Sequence, residues 1–441
     1  MKTRCWNCLS VPLWVILAIS LLSGCGNTRD ARGVRVQGAH THAGAEVYYR
    51  WMRSCLDRLD HDIPQITASA EGAASLYLSQ GYHLFAGHAR HFWAEAMGRS
   101  GGIGGLNPVS MMGDKPAIIL LALEEDRLQE QLQQLAQMAK AESGRFVVAF
   151  ARDEILERAR KAGATFDAVV NTHAAEHDGL FQTPDGGRVI PTVFTARIIA
   201  MWVWMGEFVA ACTRLGKMPP MYQSIAVPPG YIRITQDISD PNGFRRFHGA
   251  VPPRIPPGKL GREYIRELGR NLSMMHDSEM ADIRAAAALA VRALRNGNAL
   301  YTVPFGHCVP HHPQGYFESY DETRKNLKKQ GKDAKFNEGD FVLVLGYDWP
   351  IPSGIEASRA GAIVAWSITS YKLHEIECIA PDEILIDQHW ALGDALVAVP
   401  GYDVKICPPS GVLAEAVLWM VNAEMHSLLH DSAAAPGREH R

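Results

Sequence analysis

Residues 82–98 read YHLFAGHARHFWAEAMG and contain one complete unit of the predicted fold. The apolar run Tyr82–Ala86 predicts a short buried strand, Gly87 predicts a tight turn, and His88–Met97 predicts a helix. The pattern recurs downstream, where Ala117–Leu123 predicts a buried strand, Leu128–Ala141 a helix and Arg145–Phe150 the next strand. Strands that alternate with helices in this way predict an α/β fold, in which helices cover both faces of a parallel sheet.

The second half of the chain repeats the plan of the first. Phe305-Gly306-His307 matches Ala86-Gly87-His88, and Gly339-Asp340 precedes an apolar run as Gly113-Asp114 does. By the same comparison Asp394–Val397 is matched with Asp167–Val170, and each half ends in a helix with Trp and Glu. We therefore expect two tandem domains with parallel sheets, over residues 46–250 and 259–430. The proline-rich stretch Val251–Gly258 is expected to form an extended junction between them.

The N-terminus has the layout of a secretory signal. Lys2 and Arg4 precede the apolar run Leu9–Leu22, which is short for a membrane span, and the run ends at Leu22-Ser-Gly-Cys25. The last four residues resemble the lipobox of bacterial lipoproteins. The resemblance implies a signal peptide over residues 1–24, a lipid on Cys25 and an exported protein anchored to the cell envelope, either facing the periplasm or at the cell surface; an uncleaved anchor is the alternative. Residues 25–45 are expected to be a flexible tether, and 431–441 a disordered tail.

The composition argues against several classes of protein. The chain has a net charge of −3 and no long basic run, so nothing points to nucleic acid as a partner. No Ser-His-Asp order, glycine-rich nucleotide loop or CxxC zinc pattern lies beyond the signal. The cysteines that remain after lipidation are odd in number, scattered, and expected to be mostly buried apolar residues: they are Cys55, Cys212, Cys308, Cys378 and Cys407.

Residues 87–102, GHARHFWAEAMGRSGG, resemble the first strand–helix signature of sugar isomerase (SIS) domains. Later segments resemble the same family in the same order, among them Gly216-Lys-Met-Pro219 after the last helix of the first half. The resemblance implies a double SIS module with flavodoxin-like sandwiches, a sugar or sugar-phosphate ligand, and a homo-oligomer. It also implies ligand-binding roles for Gly87, His88, Arg99, Gly306 and His307.

The turns that would hold a phosphate depart from the family pattern. Ala89 stands where SIS domains have a serine, and the second turn of the first half reads Leu123-Glu-Glu-Asp126 in place of a serine-rich loop. The matching turn of the second half reads Gly346–Pro350, and Cys308 follows His307. Desolvated carboxylates repel a phosphate, so phosphate binding in the usual place is not expected.

The helix after the first strand carries the candidate catalytic residues. His91 and Glu95 lie four apart, which places them on one helix face, and the run resembles the helix of phosphoheptose isomerases. The resemblance implies that Glu95 moves a proton between sugar carbons, with His91 beside it. The second Gln and His pair of that family is absent from Thr192–Glu207. An ordinary i, i+4 ion pair between Glu95 and Arg99 is the competing interpretation.

Several histidine spacings are compatible with a metal, and zinc is the candidate. The first set is His88, His91 and Glu95; the others are His173 with Glu176 and His177, and His307 with His311 and His312. Among 18 histidines such spacings also arise by chance. Three functions therefore stay open: a binding module for a sugar or phosphosugar, an aldose–ketose isomerase using Glu95, and a metal-binding or scaffold protein on an SIS-like fold.

Overall fold

The first half is built around a five-stranded sheet in the order β2-β1-β3-β4-β5, and all its strand pairs are parallel. The apolar runs that predicted β1, β3 and β4 are bounded by glycine or polar turn residues, and most of their residues are buried. All six residues of β3 are buried. The strands are β1 His83–Gly87, β2 Asn107–Pro108, β3 Ala117–Ala122, β4 Arg145–Ala151 and β5 Ala168–Asn171.

Helices flank this sheet, and a short antiparallel hairpin of β6 (Phe181–Gln182) and β7 (Arg188–Val189) precedes the last of them. The computed structural model describes residues 44–87, 89–138, 144–183, 186–227, 229–232, 252–305, 314–331, 333–346, 351–369, 371 and 383–430. The helices of this half are α1 Gly44–His61, α2 Ile63–Ser79, α3 Arg90–Ala96, α4 Leu128–Met138, α5 Asp153–Lys161 and α6 Val193–Arg214, with short 3-10 turns at Val109–Met111 and Glu176–Asp178.

The second half has the same strand order. Read from the edge strand β9, its parallel sheet runs β9-β8-β10-β11-β12. Its strands are β8 Leu300–Pro304, β9 Glu318–Ser319, β10 Phe341–Leu345, β11 Ile363–Ile368 and β12 Ile384–Asp387, followed by a hairpin of β13 Val397–Ala398 and β14 Lys405–Ile406. Its helices are α7 Lys259–Arg295, α8 Tyr320–Lys329, α9 Pro352–Arg359 and α10 Ser410–His430.

Both sheets thus have the 2-1-3-4-5 order of flavodoxin-like folds. The prediction of two tandem α/β units with parallel sheets is confirmed. The match of Asp394–Val397 with Asp167–Val170 is wrong, because Val397 begins the hairpin and the counterpart of β5 is β12. An apolar run alone cannot distinguish a short hairpin strand from the edge strand of a sheet.

The long helices pack together into a shared layer between the halves. α2 packs against α6, α1 against α10, and α7 against both α6 and α10. The apolar face of α1 is buried, as are Met201, Trp202, Trp204 and Met205 of α6, so these side chains belong to the core. Within the described residues α6 and α10 are long and apolar enough to cross a membrane, but most of each helix is buried in the protein.

The proline-rich junction is packed against the first half. The Thr213 hydroxyl accepts from the Ile255 amide at 3.1 Å, and the Arg214 guanidinium donates to the Ile255 carbonyl at 2.8 Å. Cys55, Cys212 and Cys407 are buried and free, as predicted for apolar residues. The signal peptide, Cys25, the tail, His88, Gly306, His307, His311, His312, Cys308 and Cys378 lie outside the described residues.

Candidate functional site

The carboxyl edge of the first sheet collects charged side chains from several elements. β1 and β3 are neighbours whose following helices leave in opposite directions, and such a switch point is where open α/β sheets bind ligands. His91 comes from α3, Glu124 follows β3, Arg152 follows β4, and Arg197 comes from the first turns of α6. These residues are far apart in sequence, and the parallel sheet brings them to one edge.

Arg197 is the buried cation of this edge. Its guanidinium donates to the Leu123 carbonyl and lies 3.8 Å from the Glu124 carboxylate and 3.5 Å from His91 Nε2. Burial lowers the pKa of Arg197 to about 10, and burial also raises the pKa of Glu124 although Arg197 opposes it. The His91 ring packs edge-on against Phe194, with ring centroids 4.8 Å apart. His91 therefore contacts α6 at the carboxyl edge of the first sheet.

The carboxylates of the turn after β3 form ion pairs with arginines that the sequence did not identify as their partners. Glu125 lies 2.5 Å from both Arg152 and Arg158, and Arg152 also contacts Glu154 at 3.1 Å. Arg152 donates to the Ala175 carbonyl at 3.1 Å as well. The carboxylates predicted to repel an anion are thus largely neutralised by neighbouring cations.

Glu95 lies one helical turn beyond His91 on α3, and both side chains face α6. Trp202 Nε1 of α6 donates to Glu95 Oε1 at 3.1 Å, so the i, i+4 spacing does place both side chains on one face. Arg99 lies 3.5 Å from the same oxygen, which is the competing ion pair. Glu95 is only 7% exposed, and burial raises its pKa to about 7. Its carboxylate fills the space at Gly411, where a Cβ would lie 2.4 Å from Oε1.

Arg99 connects this carboxylate to the second half. It donates to the Ser410 hydroxyl and lies 3.6 Å from Asp394. The Asp394 carboxylate accepts from the Ser410 amide at 3.2 Å and from the Ser410 hydroxyl at 2.8 Å, at the start of α10. Burial raises the pKa of Asp394 to about 6. We call Glu95, Arg99, Asp394 and Ser410 the buried junction cluster.

Of the three predicted zinc sites, only the set of His173, Glu176 and His177 lies wholly within the described residues, and the sets with His88 and with His307, His311 and His312 stay predictions. No group of three His, Cys, Asp or Glu among the described residues could hold a metal. Arg197 lies beside His91 and Arg99 beside Glu95, and a guanidinium disfavours a second cation at the same place. His173 and His177 are not one helical turn apart, because both have positive φ and only His177 belongs to the short 3-10 turn at Glu176–Asp178.

A pair of matching segments after the fifth strands was missed in the sequence. They read NTHAAEHD from Asn171 to Asp178 and DQHWALGD from Asp387 to Asp394. Both have histidine third, alanine fifth and aspartate eighth, so an ungapped comparison anchored on the histidines would have found them. In the structure both histidines and both final aspartates have positive φ.

The matched residues make matched contacts. His173 Nε2 lies 2.7 Å from Asp62, between α1 and α2, and His389 Nε2 lies 3.2 Å from Glu279 of α7. Asp178 accepts the amides of Thr192 and Val193 at the start of α6, just as Asp394 accepts that of Ser410. Every described non-glycine residue with positive φ lies in these segments or directly after the hairpin that follows each: His173, His177, Asp178, Ile190, His389, Asp394 and Cys407. Strain of this kind concentrates at functional sites.

One contact resembles a catalytic triad without being able to work as one. Ser278 Oγ lies 2.9 Å from His389 Nε2, and Asp387 lies 3.3 Å from Nδ1. Glu279 also faces Nε2, and its hydrogen bond raises the pKa of His389. An imidazole with carboxylates on both nitrogens favours the protonated form, which cannot accept the serine proton.

No protein-family model matches the chain, and no curated protein matches it in sequence. Solved structures resemble it at low identity. A protein assigned as a phosphosugar isomerase from Silicibacter pomeroyi DSS-3 is 10% identical, with a TM-score of 0.45 over 87% of this chain and 98% of its own. A protein assigned as sugar binding from Salmonella typhimurium LT2 is 10% identical, with a TM-score of 0.48 over 86% and 99%. The C-terminal domain of glucosamine-fructose-6-phosphate aminotransferase from Francisella tularensis is 8% identical, with a TM-score of 0.44 over 89% and 98%. The strand orders themselves show the doubled, flavodoxin-like α/β fold that the resemblance to SIS domains predicts.

Proposed function

We propose that this protein binds a sugar-type ligand at the carboxyl edge of its first sheet. The observation that carries the proposal is the convergence of His91, Glu124, Arg152 and Arg197 at the switch point. Imidazole, carboxylate and guanidinium groups offer several hydrogen bonds in fixed planes, and a few such groups on a rigid scaffold orient a hydroxyl-rich ligand. The paired charges keep these groups ordered before a ligand arrives.

Thermal unfolding of the chain from Gly26 onward, against a panel of sugars and sugar phosphates, tests this proposal. A ligand at about a hundred times its dissociation constant should add about 2.7 kcal/mol to stability. His91→Gln should reduce the shift, whereas Glu157→Gln, an exposed carboxylate on α5, should leave it unchanged. A shift equal in all three proteins would place the ligand elsewhere, and no shift with any sugar would refute the proposal.

We also propose that the protein is exported and lipid-anchored through Cys25, which rests on Lys2, Arg4, the apolar run and the Leu22-Ser-Gly-Cys25 sequence. Metabolic labelling with a radioactive fatty acid should mark the wild-type protein and not Cys25→Ala. Label in both proteins, or in neither, would contradict lipidation at Cys25.

Aldose–ketose isomerisation is the second candidate: the raised pKa of Glu95 favours it, and it requires the sugar carbon to reach a carboxylate that is only 7% exposed. A carboxylate that titrates near 7 suits a base that takes and returns a proton at neutral pH. Incubation of a binding sugar in D2O should then exchange the proton next to its carbonyl, as read by NMR. Glu95→Gln should abolish the exchange; exchange that persists in this variant, or none in the wild type, would exclude Glu95 as the base.

A further inference from the structure

Two groups of backbone donors that could cradle a phosphate at the first sheet, in the turn after β3 and at the start of α6, are occupied by the protein's own side chains. The backbone amide of Glu124, in the turn after β3, donates to Gln131 Oε1 at 2.8 Å. The side-chain nitrogen Nε2 of the buried Gln131 donates to the Ala122 carbonyl at 3.1 Å, so the glutamine side chain is held across the turn. A phosphate in this turn would have to displace a buried glutamine and leave its polar atoms without partners.

The backbone amides at the start of α6 are likewise bound by a side chain of the protein. The Asp178 carboxylate accepts from the amides of Thr192 at 3.0 Å and Val193 at 2.8 Å. A helix N-terminus attracts anions because its first amides have no partner within the helix and its dipole is positive there. Asp178 already supplies that anion, so a ligand phosphate would have to compete with it.

The arginines of the edge are also engaged by carboxylates. Arg197 faces Glu124, and Arg152 contacts Glu125 and Glu154. Among the described residues of this turn and edge, each of these guanidiniums has an acidic partner. A phosphate could pair with one of these arginines only by breaking an existing ion pair, and the released carboxylate would then repel the phosphate.

We infer that the ligand of the first half is a sugar unit without a phosphate, whose hydroxyl or amino groups donate to the carboxylates of the turn after β3. This inference rests on the proposed sugar-binding function and narrows its ligand class. Glu124 is partly exposed and Glu125 is half exposed, so both have oxygens available to a donor. A neutral hydroxyl or amino group adds hydrogen bonds to these oxygens without disturbing the ion pairs.

Isothermal titration with matched pairs tests the inference on the chain from Gly26 onward. The pairs are glucose with glucose 6-phosphate and glucosamine with glucosamine 6-phosphate. In at least one pair the unphosphorylated member should bind, and the phosphorylated member should bind at least tenfold more weakly. Glu124→Gln should weaken the unphosphorylated sugar several-fold, and Glu157→Gln should not.

Tighter binding of the phosphorylated member would overturn the inference while leaving the sugar-binding proposal intact, as would an unchanged affinity in Glu124→Gln. If neither member of any pair binds, the sugar-binding proposal fails and the inference fails with it.

Discussion

At the residue scale, Glu95 shows how burial changes the role of a side chain. Its carboxylate is enclosed by Trp202, Arg99 and the backbone at Gly411, and Asp394 and Glu415 lie close enough to oppose its ionisation. Two carboxylates of the buried junction cluster share the guanidinium of Arg99. Burial and like charge therefore raise the pKa of Glu95 more than Arg99 and Trp202 lower it.

Glu95→Gln should flatten the pH dependence of stability near neutrality. The folded protein keeps a proton on Glu95 up to pH of about 7, whereas the unfolded chain loses it near the ordinary value of 4.5. This stabilising contribution is complete below pH 4.5 and is lost as the pH rises through 7, at a slope of up to about 1.4 kcal/mol per pH unit. The raised pKa of Asp394 has the same effect on stability, and its contribution is lost as the pH rises through about 6.

Urea unfolding at half-unit steps from pH 5 to 8 measures the effect. The wild type should lose stability across this range, and Glu95→Gln should lose less of it between pH 6 and 7. An identical slope in both proteins would show that Glu95 is ionised throughout, and Glu157→Gln serves as the exposed control.

Gly411→Ala should destabilise the protein through Glu95. The new Cβ would lie within 2.6 Å of three carboxyl atoms, closer than side-chain contacts allow. We expect a cost of about 1–3 kcal/mol, as for other overpacked cores. In a Glu95→Ala background the same substitution should cost much less. Strictly additive changes in the free energy of unfolding across this double-mutant cycle would contradict the explanation.

At the element scale, each half caps a helix of the other. The Glu207 carboxylate of α6 accepts from the amides of Gly258 and Gly261 at 2.7 and 2.8 Å, at the start of α7. The Glu424 carboxylate of α10 accepts from the Ala45 amide at 3.1 Å, at the start of α1. The last helix of each half thus fixes the first helix of the other half.

Glu207→Gln should lower stability by about 2–4 kcal/mol, because an amide NH2 would face backbone donors that now share a buried carboxylate. Glu207 also accepts from the Thr67 hydroxyl at 2.7 Å. Glu207→Gln should therefore lower the stability more than Glu424→Gln, which affects one hydrogen bond. Chemical denaturation of both variants gives the comparison. Equal losses would mean that the capping bonds at α7 contribute little.

At the scale of the whole molecule, the exchanged caps and the shared helix layer make the halves depend on each other. Arg99 reaches Asp394 and Ser410, and α7 packs against both α6 and α10. A half alone would expose the apolar sides of these helices to water.

Separate fragments of residues 42–250 and 251–441 should therefore fail to unfold cooperatively, while the complete chain should show one transition. Far-UV circular dichroism and tryptophan fluorescence should give the same midpoint for the complete chain. A fragment with native-like circular dichroism and a sharp transition would contradict this dependence. The oligomeric state of the complete chain stays a prediction from the sequence resemblance.

The sequence by itself determined the order and type of the main elements. Apolar runs such as Ala117–Leu123 and Arg145–Phe150 predicted their strands because burial imposes a local pattern on the sequence. The two-fold repeat was likewise visible, although β5 was matched with the hairpin of the second half and the segments after the fifth strands were missed. Their short strands and positive-φ residues leave little local pattern.

Only the tertiary structure decided which charges meet. Glu95 contacts Trp202 across 107 residues of sequence, and Arg99 contacts Ser410 across 311. Glu125 pairs with Arg152 and Arg158, and His389 contacts Glu279, although no local spacing in the sequence connects these residues. Local periodicity depends on neighbours in sequence, whereas an ion pair and a pKa depend on neighbours in space, and the packing of the two halves determines those neighbours.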